Sequence, residues 1–122
     1  MLRSILLLGL VLAGGSAEAA SGPFSCTASN GRVQIAVSGT YSGTRAVGNT
    51  SLVVRAGPVV RRLSFVPVSS SFLRNKRLQL SGRSGDGSGT ITTQYAVGNT
   101  YTGTLRAMIS GSAVNAPVRC TF

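Results

Sequence analysis

Few side chains in this 122-residue chain could do chemistry. They are two cysteines, Cys26 and Cys120, one lysine, Lys76, a few residues after the triplet Ser69-Ser70-Ser71, and eleven arginines. Beyond the first twenty residues there is one acid, Asp86, and histidine and tryptophan are absent altogether. A Ser-His-Asp or Cys-His arrangement therefore has no base. The paired carboxylates of glycoside hydrolysis cannot be assembled. Zinc needs about four ligands from Cys, His or carboxylate, and only Asp86 remains once the cysteines pair. Calcium would rest on that same carboxylate within S-G-D-G-S, which reads as a hairpin loop. A Ser–Lys pair with Lys76 as base is the one nucleophilic arrangement left, and no S-x-x-K motif accompanies it. Phosphate-cradling loops leading into a helix are also missing. The chain reads as a non-enzyme with no catalytic residue, no metal and no cofactor.

What remains is charge and one covalent bond. The formal net charge is +10. Such an imbalance sets up a positive field that favours polyanionic partners. The densest basic clusters are Arg61-Arg62 and Arg74-Asn75-Lys76-Arg77. Arg61, Arg62, Arg74, Lys76 and Arg77 are accordingly the candidate anion-binding residues. Two partner-free origins of the charge compete with this reading. Arginine excess with abundant Ala, Gly and Val is what a GC-rich genome writes, and high charge keeps a protein soluble by itself.

The N-terminus assigns a compartment. Arg3 is a short positive region, Ile5 to Leu12 is an apolar core too short to span a bilayer, and Ala17-Glu18-Ala19 is an A-x-A cleavage signal. Residues 1–19 read as a signal peptide cut after Ala19. Residues 20–122 then form a single domain, periplasmic or secreted, and no later apolar run could cross a membrane. In that oxidising compartment Cys26 and Cys120 are expected to pair. The disulfide would join the first and last strands and stabilise by about 4–5 kcal/mol in the chain-entropy model. Lipopolysaccharide, acidic cell-wall polymers and extracellular DNA are the polyanions that fit this location.

The elements that must position these residues are strands. Alternating or β-branched apolar runs are separated by Gly, Ser, Asn and Pro clusters. The pattern predicts strands at about 24–28, 31–38, 40–47, 50–56, 59–66, 76–82, 89–97, 100–109 and 116–121. Phe24, Cys26 and Ala28 share a face, as do Val33, Ile35 and Val37, Leu78 and Leu80, Tyr101 and Leu105, and Val118, Cys120 and Phe122. Turns are expected at Asn30-Gly31, Ser38-Gly39, Gly57-Pro58 and Ser84 to Gly87. Pro67 to Asn75 reads as a loop, because Pro67 and the serines stop the preceding strand, with Phe72 tucked beneath it.

The pentapeptide A-V-G-N-T occurs at 46–50 and again at 96–100. Its flanks do not repeat in the same order, so a simple tandem duplication is excluded. Gly-Asn between β-runs is a hairpin signal, and both copies read as chain reversals. For the second, burial favours a three-residue loop, Val97-Gly98-Asn99, with Asn99 left-handed and Tyr95 opposite Tyr101. For the first, a two-residue loop sets Tyr41 and Val47 on one face with Leu52 and Val54.

The fold expected is all-β: a small antiparallel meander of about 8–9 short strands, closed into a barrel or folded as a sandwich. Three functional readings follow. One is an exported binding module that contacts an anionic envelope or extracellular partner through arginines. The second is a structural, self-assembling envelope or matrix subunit, a homo-oligomer. The third is a small-ligand or protein-inhibitor barrel.

Overall fold

The computed structural model describes residues 21–85 and 87–122; the leader expected over 1–19 and the acid Asp86 lie outside the described residues. Eight antiparallel strands follow one another around a closed barrel. They are β1 (Ser21–Ser29), β2 (Val33–Ser42), β3 (Arg45–Ala56), β4 (Val59–Leu73), β5 (Arg77–Ser84), β6 (Gly87–Val97), β7 (Thr100–Ile109) and β8 (Ser112–Thr121). Every connection is a hairpin between neighbours, and β8 returns to pair with β1. Closure removes the open edges that a Thr- and Val-rich sheet would otherwise expose.

The period-two alternation of the sequence becomes inside and outside. Phe24, Cys26 and Ala28 on β1, Ile35 and Val37 on β2, Leu78 and Leu80 on β5, and Val114, Ala116, Val118 and Cys120 on β8 are all buried in one core. Between them, Ser25, Thr27, Arg77, Arg119 and their like face outward. Apolar inside and polar outside is the reverse of a membrane-spanning barrel, whose lipid face is apolar. Among the described residues no helix is long and apolar enough to cross a membrane.

The closing seam is the shortest ladder and carries the covalent bond. β1 pairs with β2 from Ser21–Ser42 to Ser29–Gln34, but with β8 only from Ser25–Thr121 to Ala28–Val118. Cys26 and Cys120 are register partners within that short run and form the expected disulfide across a sequence separation of 94. Such a bond points to a non-cytoplasmic environment.

Several boundaries differ from the sequence reading, each for a local reason. Ser38-Gly39 is not a turn. β2 runs on to Ser42 and reverses at Gly43-Thr44, with Gly43 left-handed at φ 64°. Gly39 sits inside the strand in a tight place: a Cβ there would lie 3.0 Å from the Phe24 ring and from Thr50 Oγ1. The expected strand 40–47 is thus split by the turn, its first three residues extending β2 and its last three opening β3, and the first A-V-G-N-T lies inside β3.

That first copy is a bulge, not a reversal. Between the pairs Ser38–Ser51 and Thr40–Val47, one residue of β2 faces three of β3. Gly48 takes φ 70° to absorb the excess. Val47 faces outward, 43 % exposed, because the turn at Gly43-Thr44 pairs it with Thr40 and sets Ala46, not Val47, opposite the buried Tyr41. The second copy does reverse the chain, with Tyr95 opposite Tyr101 and Ile91 opposite Leu105 as expected. The loop is the two residues Gly98-Asn99 and not the three expected, because Val97 pairs with Thr100. Gly98, at φ 64°, is left-handed rather than Asn99, and a register shift between Tyr95 and Val97 supplies the residue that restores the facing.

The expected loop 67–75 is mostly strand. β4 continues past Pro67 to Leu73 with a register shift between Pro67 and Ser69. Its ladder to β3 has already ended at Thr50–Phe65, and a strand unpaired on one side tolerates proline. Phe72 joins the main core instead of a satellite cluster. β8 starts at Ser112, earlier than expected, after a turn in which Ser110 and Gly111 both have positive φ, 50° and 83°.

Candidate anion-binding surface

Hairpin connectivity divides the candidate cations between the two barrel ends. Arg61 and Arg62 open β4, beside the β3–β4 turn. Arg74, Lys76 and Arg77 belong to the turn at its far end and to the first residue of β5. Twelve residues of strand from Arg62 to Arg74 span about 40 Å at roughly 3.3 Å per residue. The two basic clusters do not form one patch.

Arg61 and Arg62 also differ from each other. Arg61 shares the inward side of β4 with Leu63 and Phe65, is half-buried, and donates from Nη1 to Ser110 Oγ at 3.1 Å. Arg62 points outward, opposite Val53 of β3.

The β4–β5 turn is built onto a group of aromatic rings. Asn75 occupies its left-handed position at φ 63°, which asparagine tolerates better than most residues. Lys76 N donates to Leu73 O at 3.0 Å and closes the turn. Two further bonds tie it down: Asn75 N donates to Tyr101 Oη at 2.8 Å, and Tyr95 N donates to Lys76 O at 2.8 Å. Below lie Phe24, Tyr41, Phe72, Tyr101 and Phe122. Phe72 meets Phe24 edge-on at 4.9 Å and stacks on Tyr41 at 5.6 Å, and Phe122 stacks on Tyr101 at 4.8 Å. These rings fill the barrel end and give the turn a rigid floor.

Arg74 is positioned by that floor. Its Nη2 donates to Tyr41 Oη at 3.1 Å, and its guanidinium carbon sits 5.6 Å from the Phe122 ring centroid. A cation held over a ring and hydrogen-bonded at one nitrogen loses less freedom when it pairs with an anion. Beside it a cleft of about 350 Å³ is lined by Tyr41, Thr44, Phe72, Arg74, Lys76 and Phe122, among others.

The topology adds a cation that the sequence reading missed. Phe72 N donates to Thr44 O at 2.8 Å, so Arg45, the next residue, flanks the same contact as Arg74. With Gly43-Thr44 recognised as the turn, Arg45 would have been placed at this end. Arg45, Arg74, Lys76 and Arg77 are all exposed. The described residues contain no carboxylate side chain. From the serine triplet, Ser70 Oγ accepts from Ala46 N at 2.8 Å and so bridges β3 to β4 where their ladder has ended.

No protein-family model, no curated protein and no solved structure matches this chain.

Proposed function

We propose that the chain is an exported, non-catalytic binding module that meets an anionic partner of the envelope or extracellular space through the β4–β5 end of its barrel. The observation that carries this reading is the gathering of Arg45, Arg74, Lys76 and Arg77 at one barrel end, with Arg74 held over the aromatic rings and no carboxylate side chain among the described residues. Unopposed cations raise the local concentration of anions and speed their capture. The disulfide and the leader-like first nineteen residues support a periplasmic or secreted location, where lipopolysaccharide, acidic cell-wall polymers and extracellular DNA are the available polyanions. Self-assembly is a second reading, supported by the exposed valines Val47, Val60, Val66 and Val68 on β3 and β4. A small-ligand barrel has less support, because the apolar cavity inside the barrel amounts to about 30 Å³, far below the several hundred of a ligand pocket.

The test is a binding titration of the oxidised protein against polyphosphate and lipopolysaccharide vesicles across a salt series. Engagement of three or four cations predicts a log–log salt slope of about −3. Absence of binding above background at physiological salt would remove the anion reading, and concentration-dependent oligomers would then favour self-assembly.

A further inference from the structure

The outer face of β5 to β8 differs from the rest of the barrel surface. The register places its outward residues in rows. Arg77, Gln94, Thr102 and Arg119 stand side by side across the four strands. The next row is Gln79, Thr92, Thr104 and Pro117, and the third is Ser81, Thr90, Arg106 and Asn115. Apart from Pro117, every member ends in a hydroxyl, an amide or a guanidinium. A depression of about 540 Å³ lies over Thr90, Thr92, Thr104 and Arg106. Most exposed large apolar side chains lie on β3 and β4; Met108 of β7 and Tyr95 and Val97 of β6 border the rows at their two ends without entering them.

We infer that this face binds an anionic polysaccharide, an inference that rests on the anion-binding reading and names its ligand class. Three features select the class. First, a protein partner would need an apolar or aromatic centre to anchor on, and these rows offer none. Second, single-stranded nucleic acid is held by stacking aromatics and closely spaced cations; the rows have no ring. Arg77 and Arg119 are three strand spacings apart, about 14 Å, and so do not form the continuous cationic groove that tracks a phosphate backbone. Third, a sugar polymer that carries carboxylates among its hydroxyls matches both the hydroxyl and amide rows and the arginines set among them. Arg77 belongs to the first row and also to the basic end, so a polymer on the rows runs directly onto Arg74 and Lys76.

The experiment compares polygalacturonate, polyphosphate and neutral dextran as probes of the intact oxidised protein. It uses wild type and the pair Thr92→Val/Thr104→Val, whose β-branched replacements suit an exposed strand, with retention of fold checked by circular dichroism. The expected result is binding to both anionic polymers and not to dextran, with about a tenfold loss for polygalacturonate alone in the variant, as two lost hydrogen bonds imply. Binding to both polymers that is indifferent to the threonines, or weakened equally on both, overturns the polysaccharide assignment and leaves the anion reading intact. Binding to neither polymer overturns both.

Discussion

Thr50 and Thr93 are the two buried polar residues among those described in the barrel interior, and they are satisfied differently. Thr93 Oγ1 donates to Leu78 O at 3.0 Å and accepts from Leu78 N at 3.2 Å. Thr50 Oγ1 is buried and has no hydrogen-bond partner. An unmade buried bond is a desolvation penalty without compensation. Thr50→Val is therefore expected to leave unfolding free energy unchanged or raise it by up to about 1 kcal/mol, and Thr93→Val to lower it by about 1–2 kcal/mol; urea denaturation of both variants checks the pair. Gly82 makes a related point. A Cβ there would run into the Phe65 ring and the Val66 carbonyl, so Gly82→Ala should destabilise by about 1–3 kcal/mol through overpacking, read from the same denaturation curves.

The two copies of A-V-G-N-T show how one local sequence serves two elements. In β6–β7, Gly98-Asn99 is the turn itself. In β3, Gly48-Asn49 is surplus: removing two residues would leave Thr50 opposite Gly39 and keep every later side chain on its present face. Deleting Gly48-Asn49 should therefore leave a folded barrel with a cooperative thermal transition, while deleting Gly98-Asn99 should abolish it. The strand faces were legible because alternation in Phe24-Cys26-Ala28 or Leu78-Leu80 follows directly from one wet and one buried side. The bulges at Gly48 and Val68 were not. At Gly48 an even excess of residues leaves the pattern on either side intact, and Pro67 is excluded only from a strand paired on both sides. The short β1–β8 ladder gives the disulfide its importance. Replacing Cys26 and Cys120 together by alanine should lower stability by about 4–5 kcal/mol in the chain-entropy model, measured as a fall in the urea midpoint.

For the molecule as a whole, topology decides what charge can do. Arg74, Lys76 and Arg77 were visible as a cluster because they are nearly contiguous. Arg45 was hidden because its approach depends on where β2 turns. Arg61 and Arg62 were grouped with the others by density alone, and the fifteen-residue β4 carries the two clusters to opposite ends. Net charge is the same wherever arginines sit, so the distribution is what distinguishes recognition from solubility. The measurement that tests this most directly compares two charge-matched triple variants for binding to lipopolysaccharide vesicles at physiological salt. One is Arg74→Gln/Lys76→Gln/Arg77→Gln at the aromatic-floored end; the other is Arg55→Gln/Arg62→Gln/Arg83→Gln on the outer strand faces elsewhere. The account predicts that the first loses at least tenfold in affinity and flattens the salt slope by about 2, while the second stays within about threefold of wild type. Equal losses from both variants would contradict it, because the charge would then act as a diffuse property of the surface and not as a site.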